Sequence, residues 1–285
     1  MRKASVGYNG RKRVIKKSIR KLVARTVEKL SRTTPGRYAY EQVLGTAMTQ
    51  TRAVRYRTHT FTLSAPNALN NYRIDTFATK EPETLEWIDS IPRGAVLWDV
   101  GANIGLYSIY AAQARNCDVY AFEPSVFNLE LLARNIFLNG AQDRVTICPF
   151  PLSDASGVNS FRLSTTEWGG ALSAFGAQFD QNGKPLREIF EYRVFGLAIA
   201  EVVGLLKVPE PRYLKIDVDG IEHFILRGAR DVLPKVESVL IEINDAFPEQ
   251  AEEATKLLAT TGLRCERKCD LGVPNMFNQW WDRRP

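Results

Sequence analysis

The chain has 285 residues, of which 45% are hydrophobic, and carries a formal net charge of +6. It is long enough for one large α/β domain with additions or for two small domains. No apolar run approaches the ~18 residues of a membrane-spanning helix, and the N-terminus lacks the apolar segment of a secretory signal. Four scattered cysteines argue against a disulfide framework or a zinc site, so the sequence predicts a cytoplasmic protein with reduced thiols and no structural metal.

The first segment is strongly basic. Residues 1–37 contain 13 Lys and Arg and a single acid, Glu28, whereas the rest of the chain has a net charge of −6. Between residues 11 and 32 the apolar side chains recur at helical spacing: Ile15, Ile19, Leu22, Val23, Val27 and Leu30. We therefore expect residues 1–52 to form a basic helical arm and connector, and residues 53–285 to form the main domain.

The arm leaves two interpretations open. Its apolar stripe either lies on an anionic membrane, at the inner face, or packs against protein, which is this chain's own body or a partner chain. A nucleic-acid partner is not expected, because the arm has little aromatic interleaving and no recognised binding module follows it. The sequence does not indicate an oligomeric state.

Strands and helices alternate along the main domain. The alternating residues 53–63 predict one strand and residues 83–90 a short helix. Further strands are expected at 95–100, 118–122, 144–149, 212–217 and 237–243, and helices at 103–115, 125–139, 221–232 and 247–261. This rhythm predicts an α/β fold with a mostly parallel sheet and helices on both faces.

A glycine turn joins the first of these sheet strands to its helix. Residues 96–105 read VLWDVGANIG, so Asp99 ends the strand and Gly101, Asn103 and Gly105 follow. Dinucleotide sites use G-x-G-x-x-G at this place, and an acid two residues before the first glycine would repel a pyrophosphate. The acid suits the positively charged cofactor S-adenosylmethionine, and Glu123 at the end of the next strand is placed to bind ribose hydroxyls.

The rhythm breaks at about residues 150–211, between the third and fourth sheet strands. Insertions at the carboxyl ends of such strands shape substrate pockets, so we expect this segment, with Trp168, Phe175 and Phe179, to form part of an acceptor wall. Core packing is the alternative role for these aromatic side chains.

Acidic residues crowd the turn after the fourth strand. Asp217 is the first candidate for a general base, and His223 the second. Asp219 is placed to cap the next helix, and Glu222 falls in its first turn, where the helix dipole favours negative charge.

Together these motifs resemble the FkbM family of S-adenosylmethionine-dependent methyltransferases over about residues 80–245. The matching stretches are DVGANIG, FEP, LSD at 152–154, LKIDVDGIE with LRGA, and IEIN at 241–244. The resemblance implies a class I, Rossmann-like sheet of seven strands with the last strand reversed, and methyl transfer to a hydroxyl of a sugar, glycan or small natural product. It also implies that Asp99, Gly101, Asn103 and Gly105 line the methionine side of the cofactor, Glu123 the ribose, and Ser153 and Asp154 the adenine.

Three alternatives remain at the level of sequence. Asp217, Glu242 and Asn244 end two neighbouring strands and offer oxygen ligands for Mg²⁺. The fold is also compatible with a non-catalytic binding module recruited by the basic arm. An NAD-dependent oxidoreductase is disfavoured by the turn spacing and by Asp99.

Overall fold

A computed structural model describes residues 18, 19 and 21–283. Contacts within the chain divide it into two units, with the boundary between Gln50 and Thr51. The domain boundary that the sequence predicts after residue 52 stays a prediction.

The first unit is helical where it is described. Residues 21–31 form a helix, and helix α1 (Thr34–Thr49) follows, with the Thr33 side chain accepting a hydrogen bond from Gly36 N. Helix α1 spans 16 residues, so most of the connector is helical. The apolar side chains from Ile19 to Leu30 are 45–66% exposed. Ile15 and the rest of residues 1–17 lie outside the described residues. None of the described helices is long and apolar enough to cross a membrane.

The second unit begins with a hairpin where one strand was expected. Strands β1 (Thr51–Tyr56) and β2 (His59–Ser64) pair antiparallel, and the chain turns at Arg57, which has a φ of 51°. The prediction of one continuous strand was wrong because the turn carries no glycine or Asn-Gly signal. The hairpin is followed by helices α2 (Ala68–Asp75) and α3 (Pro82–Ser90).

The remaining elements follow the predicted alternation, interrupted by the insertion and by a short 3₁₀ turn at Leu233–Lys235. In chain order they are β3 (Val96–Val100), α4 (Leu106–Arg115), β4 (Asp118–Phe122), α5 (Val126–Leu138), β5 (Val145–Cys148), β6 (Leu152–Ser153), β7 (Gly157–Leu163), β8 (Ser173–Phe175), β9 (Phe190–Ala198), α6 (Ile199–Leu206), β10 (Tyr213–Ile216), α7 (Glu222–Gly228), β11 (Ser238–Asn244), α8 (Pro248–Thr260), β12 (Arg264–Asp270) and β13 (Met276–Asp282).

Seven strands form the central sheet in the order β12-β13-β11-β10-β3-β4-β5. Strands β11, β10, β3, β4 and β5 are parallel, and β13 runs antiparallel between β11 and β12. The predicted mostly parallel sheet with a reversed last strand is confirmed. The order reverses between β3 and β10, and in such sheets ligands bind outside the carboxyl ends of the strands at that point.

Apolar side chains cover both faces of the sheet. One buried cluster includes Trp87, Ile109 and Leu132 from α3, α4 and α5, and a second includes Ile225 and Leu258 from α7 and α8. Each large side chain contributes roughly 1.5–3 kcal/mol by leaving water, so the two clusters hold the sheet rigid.

The insertion forms its own small sheet, with strand order β6-β9-β7-β8. Its buried Phe161 and Phe175 cluster with Ile221, which stands at the start of α7. This contact fixes the insertion beside the carboxyl end of β10.

Candidate active site

A cavity of about 350 Å³ lies at the carboxyl ends of β3, β4, β10 and β11, with the insertion as one wall. Its lining includes two cationic side chains, Arg73 and Lys80. It also includes five carboxylic acids, which are Glu81, Glu123, Asp217, Asp219 and Glu242. Acidic groups therefore outnumber basic ones, as suits a positively charged ligand.

The glycine turn after β3 lies tightly against the end of β10. Gly101 has a φ of 85°, and a Cβ built on it would lie 1.8 Å from the carbonyl oxygen of Asp217. Glycine is required here because any side chain would collide with that backbone. Gly101 and Asn103 line the cavity. Gly105 instead faces Leu132 of α5, so it serves helix packing rather than the cavity surface.

Asp99 lies one layer below the cavity rather than in its lining. The Ser108 hydroxyl donates to Asp99 Oδ2 at 2.6 Å, and Lys215 Nζ lies 3.5 Å from Asp99 Oδ1. The same ammonium donates to Asp217 Oδ2 at 3.1 Å. Burial opposes ionisation of Asp217, but Lys215 and Lys80 outweigh it and hold the pKa of Asp217 below its usual value.

Glu123 is buried, yet its carboxyl group lines the cavity. The amides of Ser125 and Asn103 donate to its two oxygens, each at 2.8 Å. Burial raises the pKa of Glu123 to about 7, although these backbone donors favour its ionised form. The Asn103 side chain donates to the carbonyl oxygen of Gly170, which links the glycine turn to the insertion.

The two other acids after β10 shape the loop. Asp219 has a φ of 63° and accepts hydrogen bonds from the amides of Leu172 and Ser173, at 2.7 and 3.2 Å. The expectation that Asp219 caps the next helix was wrong, because α7 begins at Glu222 and has no side-chain cap. Burial raises the pKa of Asp219 to about 6.

Glu222 is buried outside the cavity lining. One of its oxygens accepts from the amides of Val218 and Gly220, and the Gln250 side chain donates to the other. Burial raises the pKa of Glu222 to about 7. Its role is to hold the turn that presents Asp217 and Asp219.

The structure places His223, Ser153 and Asp154 away from the cavity lining. The His223 ring is fully buried 4.2 Å from the ring of Phe224, neither ring nitrogen has a hydrogen-bond partner in the described residues, and burial lowers its pKa. The His223 side chain therefore points into the core and not toward the cavity where an acceptor would bind. Asp154 pairs with Arg227 at 3.4 Å.

Ser153 and Asp154, which the sequence predicts for the adenine side, directly follow a stretch that lines the cavity. Phe150, Pro151 and Leu152 line the cavity, whereas the next two residues do not. Ser153 is buried, and its carbonyl oxygen lies against Gly228 of α7.

Sequence reasoning missed the contribution of the segment from α2 to α3. The Arg73 guanidinium donates twice to the carbonyl oxygen of Gly169, at 2.9 and 2.7 Å, and Lys80 pairs with Glu81. Tyr107 OH also donates to Glu81, at 3.2 Å. These residues stand outside any motif. The local sequence feature that could have indicated them is the charged pair Lys80 and Glu81, directly before the helix that begins at Pro82.

The aromatic side chains of the insertion divide between wall and core. Phe175 lines the cavity. The Phe179 ring packs against Phe224 and Phe247, at 6.2 and 5.3 Å between centroids. The carbonyl oxygen of Trp168 accepts hydrogen bonds from the side chains of Asn67 and Asn70.

Of the oxygen ligands considered for Mg²⁺, Asp217 and Glu242 line the cavity, whereas Asn244 does not. Within the described residues, no three His, Cys, Asp or Glu side chains are grouped to hold a metal ion. The Asn244 side chain donates to the carbonyl oxygen of Gln181 at 2.9 Å and to Asn182 at 3.0 Å. Its amide is therefore committed to the insertion.

Comparison with known proteins gives consistent matches. Residues 99–270 match the family model described as the methyltransferase FkbM domain. The chain is 30% identical over 177 residues to the hexuronic acid methyltransferase AglP of Haloferax volcanii, covering 60% of this chain and 64% of AglP. It is 26% identical over 180 residues to the 31-O-demethyl-FK506 methyltransferase FkbM of Streptomyces tacrolimicus, covering 53% of this chain and 66% of that protein. The matches span just under two thirds of either relative's length.

A similar solved structure is that of precorrin-6y C5,15-methyltransferase from Geobacter metallireducens. The two share 15% sequence identity, with a TM-score of 0.43, over 72% of this chain and 87% of the other.

Proposed function

Because the chain belongs to the FkbM family of S-adenosylmethionine-dependent methyltransferases, we propose that it methylates a hydroxyl oxygen of a sugar, a glycan or a small natural product. The site assignment rests on two features that lie at the carboxyl ends of the strands, near the point where the strand order reverses. A bare glycine turn follows β3, and the buried Glu123 carboxyl group follows β4. Both face one cavity.

The residues present fit this cofactor. S-adenosylmethionine, when bound, supplies a methyl group activated by the positive charge on its sulfur. Each oxygen of Glu123 accepts one backbone amide, and a carboxylate oxygen has a second lone pair that a ribose hydroxyl can use. Phe150, Leu152 and Ile221 offer apolar surface for a purine.

The charged methionine part of the cofactor is favoured on the side of the cavity away from the apolar purine surface. A smaller cavity beside the first is lined by Gly101, Asn103, Lys80, Glu81 and Asp217. We assign the methionine part to this side, where the carboxylates attract its ammonium group and Lys80 attracts its carboxylate. In this proposal Asp99 acts indirectly, by helping Lys215 to hold Asp217.

The chain's main contribution to rate is positioning. Methyl transfer asks little covalent chemistry of the protein, so holding the acceptor in line with the methyl group supplies most of the rate. Arg73 and Asn103 anchor the insertion through Gly169 and Gly170, and Asp219 anchors it through Leu172. These contacts hold the proposed acceptor wall against the cofactor side.

An oxygen acceptor on a sugar or a small molecule is supported by two curated relatives. One is described as acting on a hexuronic acid and the other on a demethylated natural-product oxygen. The test is transfer of labelled methyl from S-adenosylmethionine to a panel of hexuronic acids, glycans and hydroxylated natural products, with the methylated position located by mass spectrometry. Comparing glycans and metabolites from cells with and without the protein extends the search beyond the panel.

Two results would overturn the assignment. Tighter binding of NAD than of S-adenosylmethionine would replace the methyltransferase with an oxidoreductase. Cofactor binding without transfer to any acceptor, in the panel or in cell extracts, would favour a non-catalytic binding module.

We further propose that the first unit attaches the protein to anionic membrane surface. The supporting observation is the exposure of Leu22, Val23 and Val27 on the helix of residues 21–31, which also carries Lys21 and Arg25. An amphipathic helix of this kind gains from apolar burial and from attraction to anionic lipid at once.

A further inference from the structure

Four of the five acids that line the cavity have protein partners. Asp217 pairs with Lys215, and Glu81 pairs with Lys80 and accepts from Tyr107. Glu123 and Asp219 each accept two backbone amides. Each of these partners occupies a lone pair of the carboxylate and stabilises its charged form, so the group is less available to take a proton from the acceptor.

Glu242 differs from these four acids. It stands near the carboxyl end of β11 and lines the cavity, but within the described part of the chain no hydrogen bond or ion pair engages its carboxyl group. Its neighbours on β11, Ile241 and Ile243, are fully buried. Glu242 therefore presents an uncommitted carboxyl group to the cavity from a rigid central strand.

We propose that Glu242 is the general base that receives the proton of the acceptor hydroxyl, and that the positive charge of the bound cofactor keeps it ionised. This inference rests on the proposed methyltransferase function. The acceptor oxygen forms the new C–O bond while its proton passes to a Glu242 oxygen, and the electron pair of the broken C–S bond stays on sulfur. No other reactant is needed.

The charges around Glu242 explain why its ionisation depends on the bound cofactor. Burial raises the pKa of Glu242 well above its usual value, and Asp217, Glu222, Asp219 and Glu81 raise it further. Lys80 is the cation that attracts it. A sulfonium placed in the same cavity stabilises the carboxylate and lowers that pKa, so the base becomes ionised when the methyl donor is in place.

The coupling is measurable without an acceptor. Calorimetry at pH 7, in two buffers of different ionisation enthalpy, gives the number of protons released on binding. S-adenosylmethionine carries the sulfonium and S-adenosylhomocysteine does not, so the difference between the two ligands isolates the groups that respond to that charge. Protons released when the ribose contacts Glu123 are common to both ligands and cancel.

We expect the wild-type protein to release more protons with S-adenosylmethionine than with S-adenosylhomocysteine, and Glu242→Gln to lose that difference. Glutamine resembles the protonated carboxyl group, so the fold is retained. Glu252→Gln, on the exposed side of α8, is the matched control and keeps the difference. An unchanged difference in Glu242→Gln would overturn the proposal.

Activity provides the second readout. With an acceptor found in the panel, Glu242→Gln lowers kcat by about 100-fold or more, whereas the Kd for S-adenosylmethionine rises only by the smaller factor that the lost attraction to the sulfonium contributes. Wild-type activity falls at low pH because Glu242 becomes protonated. This fall is absent from the variant. Full activity in Glu242→Gln would refute the role of Glu242 alone, whereas a wild-type protein that fails to bind the cofactor would refute the proposed function itself.

Discussion

The ammonium of Lys215 lies 3.1 Å from the carboxylate of Asp217, at the floor of the cavity. The two residues are two positions apart at the end of β10, so their side chains leave the strand on the same side. Lys215 is also 3.5 Å from Asp99 and is only 4% exposed. One buried cation thus balances two acids that the sequence presents in separate motifs.

Lys215→Met tests this balance. Removing the cation leaves Asp99 and Asp217 close together without compensation, and breaking such a buried pair costs about 3–5 kcal/mol. We expect the free energy of unfolding, measured in urea, to fall by that amount. The control is Lys235→Met, because Lys235 is 56% exposed in its pair with Glu210 and such surface pairs contribute roughly 0–1 kcal/mol. Equal losses in both variants would show that Lys215 is not the balancing charge.

Gly101→Ala tests the tight approach of the glycine turn to β10. The new methyl group would collide with the Asp217 carbonyl oxygen, so the turn must move and the cofactor site is lost. Gly94→Ala is a matched control, since Gly94 has a φ of 78° but open space at its Cβ position. We expect about 1 kcal/mol of backbone strain from Gly94→Ala, and at least about 2 kcal/mol more from Gly101→Ala. Retained calorimetric affinity for S-adenosylmethionine in Gly101→Ala would contradict the site.

Glu123→Gln tests the assigned ribose contact. The variant keeps an acceptor but loses the charge, and a hydrogen bond to a charged group contributes about 1.5–3 kcal/mol, so we expect cofactor affinity to weaken roughly 10- to 100-fold. Because the pKa of Glu123 is about 7, wild-type affinity strengthens as the pH rises through 7 and this contribution is absent from the variant. Glu130→Gln, in a surface pair with Arg134, serves as the control in the same titrations.

Glu222→Gln tests the linkage between burial and pH. The pKa of Glu222 is about 7 when folded and 4.5 in the unfolded chain, so the folded state binds the proton more tightly. The stability that this group provides is complete below pH 4.5 and is lost as the pH rises to 7, by about 3 kcal/mol. We expect the free energy of unfolding to fall less between pH 4.5 and 8 in the variant than in the wild type. Parallel pH profiles for the two proteins would show that Glu222 is not the group responsible.

The sheet could be predicted from sequence because its signals are local. Apolar runs that end in Asp99 and Asp217 gave strand boundaries within one residue of β3 and β10. Helix α4 begins at Leu106, three residues later than expected, because Asn103 and Gly105 have positive φ values and cannot start a helix. Periodicity does not report such backbone angles.

The cavity was harder to predict, because its charges come together only in the fold. Lys80 and Arg73 reach the cavity from the segment before β3, and neither stands in a motif. His223 lies in the strongest motif but points into the core, where its ring packs against Phe224 and Phe247. Motifs located the loops, while tertiary packing decided which side chains enter the cavity.

The basic first unit provides the last test. In the full-length chain, replacing Leu22, Val23 and Val27 with Ser removes the exposed apolar surface, and replacing Lys21, Arg25 and Lys29 with Glu reverses the charge. If the helix binds anionic membrane, the wild-type protein cosediments with vesicles that contain phosphatidylserine and much less with pure phosphatidylcholine, since each cation near such a surface contributes about 1 kcal/mol. Both variants should remain in the supernatant while their affinity for S-adenosylmethionine is unchanged, because the described residues that line the cofactor cavity all belong to the second unit. Binding that is equal for both lipid compositions would remove the electrostatic part of the proposal. A wild-type protein that does not sediment but forms oligomers that the Ser variant lacks would assign the apolar stripe to contact between chains instead.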